Sequence, residues 1–395
     1  MSEANINEAV NKPEIGKKGG QEFSVVRSIR TFLEQMSEGS ARPASTVVKE
    51  LLQNADDAGA TEIEITIDLR TLTAEGSQYD SILGPSILIR NNAMFKVKEE
   101  LANRDKGDFE ALLDVAGGHK TSDSVAAGRF GIGFNSVYFL SDNPIIFSRD
   151  EIHFFDLLHL LPFNNANGWI FRLEDFPAGA QKSVGQIKRI IELCFPKVIL
   201  QQDTIGEMAR KHEMYRQSAF RLPIRIQNLG SDAVFNTVYS LERVRSIFEE
   251  MVVEASKSIL FLKSIQKIIF SELETTDSKN MVAEISITPN SSEFDIFLEH
   301  LQHKKDHTSE GIKRNISITC NGETNVRPFT VWHKVSYSNL ALTEIRKRLE
   351  GSDKAIPWVS VAVPGSKDAM MLDGNGNPNW RVFLPLLEEG PCGCI

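Results

Sequence analysis

The chain has 395 residues, a length suited to two or three domains, and its 41% hydrophobic and 25% charged residues are the make-up of an ordinary globular protein. A formal net charge of −9 gives no bulk electrostatic footprint for nucleic acid or for an anionic membrane surface. Cys194, Cys320, Cys392 and Cys394 lack metal or redox spacing, and no stretch approaches the roughly 20 apolar residues that span a bilayer, so a reducing, cytoplasmic setting is expected.

Residues 1–22 are polar and read as a disordered tail without a signal-peptide core. From Phe23 a helical period runs through Val26, Ile29, Phe32, Leu33 and Met36. A second helix is expected from about Ala44 to Ala58, stopped at Gly59. Thr61–Asp68 alternates as a half-buried strand does, and Ser86–Arg90 is a short apolar strand. Residues 94–127 form a long polar segment with one short helix near Phe109–Val115, and loops of that length are often lids. A helix to about Leu140 follows Gly133, then strands at Ile145–Ser148, Ile152–Phe155 and Trp169–Leu173. Val184–Met214 reads as helical, and Ser218–Ile226 as a strand that Pro223 assigns to an edge or a bulge.

From about Asn228 the pattern changes to one long amphipathic helix, Ser240–Phe261. Strands follow near Ile265–Ser271, Met281–Ile287, Ile316–Cys320, Thr330–Tyr337, Val359–Val363 and Arg381–Pro385. The expected organisation is a tail (1–22), a first unit (23–227) and a second α/β region (228–395). The terminal Cys392-Gly393-Cys394-Ile395 lacks the aliphatic centre of a prenylation box.

Two motifs carry chemistry. In Glu50-Leu-Leu-Gln-Asn54-Ala-Asp-Asp57-Ala58-Gly, helical spacing lines up Glu50, Asn54 and Asp57 on one face, opposite Val47, Val48, Leu51, Leu52 and Ala55. An amide oxygen at Asn54 suits a magnesium ion that also holds phosphates, and a carboxylate one turn earlier suits water activation. A solvated helix face is the plainer reading of that spacing. In Gly128-Arg129-Phe130-Gly131-Ile132-Gly133-Phe134-Asn-Ser-Val-Tyr138, glycines precede a helix start, where backbone N–H groups approach an anion. The spacing is neither a Rossmann fingerprint nor a Walker A loop.

Together these motifs resemble the GHKL ATPase superfamily of gyrase B, the ninety-kilodalton heat-shock chaperone, histidine kinases and MutL, and within it sacsin-like proteins. Leu83-Gly-Pro-Ser-Ile-Leu88, Asn91-Asn92-Ala-Met-Phe95 and Phe220-Arg-Leu-Pro-Ile-Arg225 look sacsin-like as well. The resemblance implies a two-layer α/β sandwich of the Bergerat type over residues 23–227, followed by a second α/β region. It implies ATP and Mg²⁺ as cofactors, Asn54 as the metal ligand and Glu50 as the water-activating carboxylate. Asp57 and Ala58 would lie by the base or sugar, Gly128–Phe134 by the phosphates, Lys120 in a lid hinged at Gly117-Gly118, and Ser218 by the adenine. The superfamily's base-reading Asp-x-Gly-x-Gly is replaced here: Asn91 or Asn92 stands for the aspartate, and Ala93 and Phe95 for the glycines. An uncharged acceptor binds more weakly, so weakened ATP binding or slow turnover is expected.

The function expected is therefore an ATP-binding, chaperone-like conformational protein, with a nucleotide-binding regulatory module as the alternative. Expected partners are ATP and ADP, protein clients and a second copy of the chain, with neither membrane nor nucleic acid among them. His300, His303 and His307 have helical spacing and offer a metal face, against which a solvated helix end is weighed. Trp332, Trp358 and Trp380 are expected in cores or interfaces.

Overall fold

The computed structural model describes residues 29–30, 33–34, 43–70, 72–73, 77–101, 107–110, 112, 134–162, 166–177, 182–226, 235, 237–288, 292–303, 305–338, 358–364 and 381–383. The expected tail, most of the first helix, most of 94–127 and Trp380 lie outside those residues.

A helix α1 (Pro43–Asp57) precedes strands β1 (Glu62–Asp68), β2 (Ser86–Asn91), β3 (Ile145–Arg149), β4 (Glu151–Phe155) and β5 (Gly168–Arg172). Helices α2 (Lys182–Cys194), α3 (Lys197–Leu200) and α4 (Ile205–Lys211) lead to β6 (Tyr215–Pro223) and then α5 (Leu241–Ser258). The rest comprises β7 (Lys267–Leu273), β8 (Lys279–Ile287), α6 (Ser292–Gln302), β9 (His307–Thr308), β10 (Ile312–Cys320), β11 (Glu323–Val335), β12 (Trp358–Pro364) and β13 (Arg381–Phe383).

Among the described residues all the strands join one 13-stranded sheet, ordered β13-β12-β11-β10-β8-β7-β1-β2-β6-β3-β4-β5, with β9 paired to β11. Every pairing is antiparallel except β1 with β7, whose register runs from Glu62–Lys267 to Asp68–Leu273. Described strands from both sides of the expected division between units, residues 227 and 228, thus share one sheet.

The fold is α/β as expected, and its sheet is covered on both faces. On one face, Val47, Val48, Leu51, Leu52 and Ala55 of α1 and Val244, Ile247, Phe248, Met251 and Ala255 of α5 bury Ile63, Ile65 and Ile67. On the other, Ile190, Ile191 and Cys194 of α2, Ile199 of α3 and Met208 of α4 pack against Leu88, Phe147, Phe154 and Ala219. The helices α2–α4 add a layer to the two expected.

Three expectations change. β1 alternates, yet Glu64, Thr66 and Asp68 are buried too. Their charges are compensated: Arg90 Nη2 donates to Glu64 at 3.2 Å, and Arg221 Nη1 to Asp68 at 2.9 Å. A polar–apolar alternation here marks a second, charged interior rather than solvent. β6, expected at an edge or a bulge, lies between β2 and β3, and its pairing with β3 shifts register between Ser148 and Arg149. Pro223 is tolerated because it is the strand's last residue. The expected helix Val184–Met214 is three helices, interrupted at Pro196 and at Thr204, whose hydroxyl caps α4 by accepting from Glu207 N–H.

Candidate functional site

The site's first wall is α1. Pro43 opens the helix, where its missing N–H costs nothing. Gly59, at φ +85°, closes it. The Gly59 and Ala60 N–H groups donate to the carbonyls of Asp56 and Ala55 at 3.0 and 2.9 Å, the paired bonds of a left-handed helix cap. With Val47, Val48, Leu51, Leu52 and Ala55 sealed in the core, Glu50 and Asn54 are left half-buried and Asp57 exposed. Ala58 is half-buried and Glu50 has an interaction partner.

The second wall is a row across the sheet. Register aligns Ile63 of β1, Asn91 of β2, Ser218 of β6 and Ser148 of β3. Paired residues of antiparallel strands share a face, and Ile63 packs with α1, so Asn91 and Ser218 look toward the α1 side. Asn91 is buried, its Oδ1 accepting the Ala93 N–H at 3.0 Å. Ser218 Oγ donates to the Ala93 carbonyl at 2.8 Å, and Ser148 Oγ accepts the Phe95 N–H at 3.1 Å. The chain beyond β2 is thereby folded back across the ends of β6 and β3.

Sequence reasoning left Asn91 and Asn92 open as the base-reading amide, and the geometry separates them. Asn92 is exposed, and its Oδ1 accepts the N–H groups of Thr61 and Glu62 at 2.9 and 3.1 Å while Nδ2 donates to Thr61 Oγ1 at 2.8 Å. It ties down the start of β1. Asn91 alone of the pair faces the interior.

Phe95, read from the sequence as standing in place of a glycine, is an anchor. Its ring lies 4.5 Å from Phe109 and 6.0 Å from Phe220, and Phe109 stacks on His153 at 3.9 Å. Asp108 Oδ2 accepts the Lys96 N–H at 2.8 Å, and a Cβ at Gly107 would meet the Lys96 carbonyl at 3.1 Å. Residues 107–110 are therefore docked on 95–98. No sequence signal marked this aromatic contact, since Phe95 and Phe109 sit in a segment read as polar.

Lys120, Gly128, Arg129, Phe130, Gly131, Ile132 and Gly133 lie outside the described residues. Phe134, which follows them, has its side chain in the core, 5.5 Å from Phe155 and 6.5 Å from Tyr138. Only its backbone can face a ligand. A 3-10 turn, Asn135–Phe139, stands where a helix was expected. Arg225 holds this turn, donating to the carbonyls of Tyr138 at 2.9 Å and Phe139 at 3.2 Å and to Asp142 at 2.6 Å. Two arginines of the Phe220–Arg225 motif, Arg221 and Arg225, thus serve as buried clamps.

A link that sequence reasoning missed joins α1 to the segment between α5 and β7. The carboxylate of Asp56 accepts the backbone N–H groups of Lys263, Ser264 and Ile265 at 2.9, 2.6 and 3.0 Å, and Lys263 pairs with Asp57. Burial pushes the Asp56 carboxyl above its ordinary value, against the opposing pull of these N–H groups and of the Lys263 charge. Asp57, expected near the base or sugar, forms this ion pair with Lys263 on the exposed end of α1.

Elsewhere, the rings of His300 and His307 stack at 4.3 Å, and His300 Nδ1 donates to the Ile296 carbonyl at 2.9 Å. Among the described residues no group of three or more His, Cys, Asp or Glu side chains is placed to hold a metal ion. Trp332, expected in a core or interface, is 39% exposed. No helix among the described residues is long and apolar enough to cross a membrane.

Comparison with known proteins rests on the same stretch of chain. Residues 24–284, well over half of the sequence, match the family described as the Sacsin domain. The chain belongs to the sacsin domain family. Its match ends inside β8, beyond the parallel β1–β7 pair, so the family unit includes α5. Within the sacsin family, the chain is 26% identical over 328 residues to the human protein Sacsin. That alignment covers 81% of this chain and 6% of the human protein. Both motifs and all described residues expected at the nucleotide site fall within the sacsin domain match.

Proposed function

We propose that the chain is a Mg²⁺-dependent, ATP-binding module of the GHKL type, with slow hydrolysis and chaperone-like conformational work as its output. The supporting observation is the exposure pattern of α1. Glu50 and Asn54 stay half-buried between the sealed residues Val47, Val48, Leu51, Leu52 and Ala55 and the exposed Gln53 and Asp57, and the helix covers the sheet face toward which buried Asn91 and Ser218 turn. Membership of the sacsin domain family and likeness to human Sacsin favour the same reading.

The donor set suits magnesium, which takes a few hard protein oxygens together with water and phosphate. Asn54 would supply an amide oxygen. When bound, the ion would neutralise phosphate charge. Glu50, one turn away, would orient and deprotonate the attacking water. The Asn91 Oδ1 has two lone pairs, one of them taken by Ala93, and the other would accept the exocyclic amine of adenine. Gly128–Gly133 would meet the phosphates, and Lys120 would approach with the lid. A reducing, cytoplasmic setting suits the free thiols of Cys194 and Cys320.

The neutral amide at Asn91 favours one rival, a nucleotide-binding regulatory module without turnover. Calorimetric titration with ATP and Mg²⁺, paired with a phosphate-release assay, separates the readings. Wild type binds and releases phosphate, and Glu50→Ala binds without releasing it. Equal, negligible release by both proteins selects the regulatory module. No heat of binding at millimolar ATP sinks both.

A further inference from the structure

Among the described residues the sheet ends at β5, and no described strand covers its outer edge. It carries neither Lys nor Pro, and Trp169 and Ile170 stand 39% and 42% exposed. Exposed edges of this kind pair with other strands unless charge, proline or a bulge prevents it. Its one charge, Arg172, is drawn back onto Glu151 of β4 at 3.1 Å.

The direction of the free backbone groups follows from the ladder. Asp156 N–H donates to the Asn167 carbonyl at 2.8 Å, and Leu173 N–H to the Asp150 carbonyl at 2.9 Å. In that register Trp169 and Phe171 direct their backbone groups at β4, while Gly168, Ile170 and Arg172 direct theirs outward. The Arg172 N–H confirms the phase, since it is bonded to Asp175 Oδ2 beyond the strand at 2.7 Å.

We propose that β5 pairs antiparallel with β5 of a second copy of this chain about a two-fold axis at Ile170. On that axis the Ile170 N–H and carbonyl exchange two hydrogen bonds with Ile170 of the second copy. Gly168 N–H donates to the Arg172 carbonyl opposite, on both sides. The remaining N–H of Arg172 stays with Asp175. Trp169 then lies directly across from Phe171 of the second copy, twice, at the closer, non-hydrogen-bonded spacing where aromatic pairs gain most. In each protomer Trp169 already neighbours Phe171 at 6.4 Å, and Phe171 neighbours Phe154 at 5.7 Å, so the two aromatic rows merge. The strand Gly168-Trp-Ile-Phe-Arg172 is self-complementary in this register, as an isologous contact requires, and a second copy is for that reason preferred over an unrelated peptide.

Sedimentation velocity of the full chain across the micromolar range tests the pairing. Wild type is expected to dimerise. Ile170→Lys, which sets two like charges face to face on the axis, raises the dissociation constant at least about tenfold. Ile170→Val keeps the dimer. Hydrogen exchange gives an independent reading on wild type: the Gly168 and Ile170 amides gain protection as concentration rises, and that of Trp169 does not. A wild type that stays monomeric overturns the proposal, as does a dimer that survives Ile170→Lys. Should that variant misfold, unchanged exchange at Ile170 on dilution of wild type overturns it.

Discussion

Arg221 of β6 and Asp68 of β1 meet at 2.9 Å with both side chains fully buried, two strands apart on the sheet face beneath α2. Arg221 also donates to the carbonyls of Ile82 and Gly84 at 3.1 and 3.0 Å. Burial alone would raise the Asp68 carboxyl, but the hydrogen bonds and charges of Arg70 and Arg221 outweigh it and hold it below the ordinary range. Arg70 still holds Asp68 at 2.8 and 2.9 Å when Arg221 is removed, but the buried pair and the carbonyls of Ile82 and Gly84 lose their donor, so Arg221→Met is expected to destabilise by about 1–3 kcal/mol in chemical denaturation. A folded-state value below the unfolded one gives stability that is present above about pH 4 and lost as pH falls through the folded value. Asp68→Asn should flatten that acid limb.

Asp56 receives three backbone donors on two oxygens, and an asparagine would turn an NH₂ group toward at least one of them. Asp56→Asn is expected to cost about 1–3 kcal/mol for each donor left unpaired. Hydrogen exchange should locate the loss at the Ser264 and Ile265 amides. Unaltered protection there would remove the tie from the account of how α1 is held.

The two adjacent asparagines predict opposite outcomes. Asn91→Ala should weaken ATP binding about tenfold, in keeping with one lost hydrogen bond in a buried setting, and cost about 1 kcal/mol of stability through the unpaired Ala93 N–H. Asn92→Ala should leave ATP affinity unchanged and lower stability by about 1–2 kcal/mol through the start of β1. Titration calorimetry and thermal unfolding on the same two variants would reveal a reversal of these roles.

His333 of β11 lies in an apolar pocket, stacked on Phe297 at 4.7 Å, with Nδ1 2.6 Å from Ser360 Oγ. Burial, and after it the charge of Arg314, lower its pKa to about 3. The unfolded chain takes up this proton near pH 6.5 and the folded chain does not, so stability falls as pH drops from about 6.5 toward the folded value. The slope is at most one proton, about 1.4 kcal/mol per pH unit. His333→Phe should remove that slope, which unfolding measured between pH 7 and 4 can read.

What was legible in the sequence follows from what periodicity encodes. The polar stripe of α1, the strands β7, β8, β12 and β13, the second halves of β10 and β11 and the helix α5 were readable because burial on one face writes itself into spacing, whereas the two-residue β9 was too short to leave a pattern. β1 misled because Glu64 and Asp68 meet Arg90 and Arg221 inside the protein, and a buried charge is spelled like a solvated one. Pro223 misled because its place depends on where the strand ends, which register alone decides. The ties of Asp56 to Ser264 and Ile265 were invisible, since backbone donors leave no mark on residue type. Phe95 was seen as a lost glycine and not as the partner of Phe109, because that contact joins positions fourteen apart in an irregular segment.

The parallel partnership of β1 with β7 has a practical consequence for dissecting the chain. Parallel neighbours need a crossover, and here α5 lies along that crossover against α1. A fragment ended at residue 227 would keep every residue of the proposed nucleotide site, yet it would strip the outer edge of β1, uncover the α5-facing side of α1 and deprive Glu64 of Lys279. Expression fragments that stop short of Ile287 should therefore aggregate or fail to fold, and their silence in a nucleotide assay would report a severed sheet and not an empty pocket.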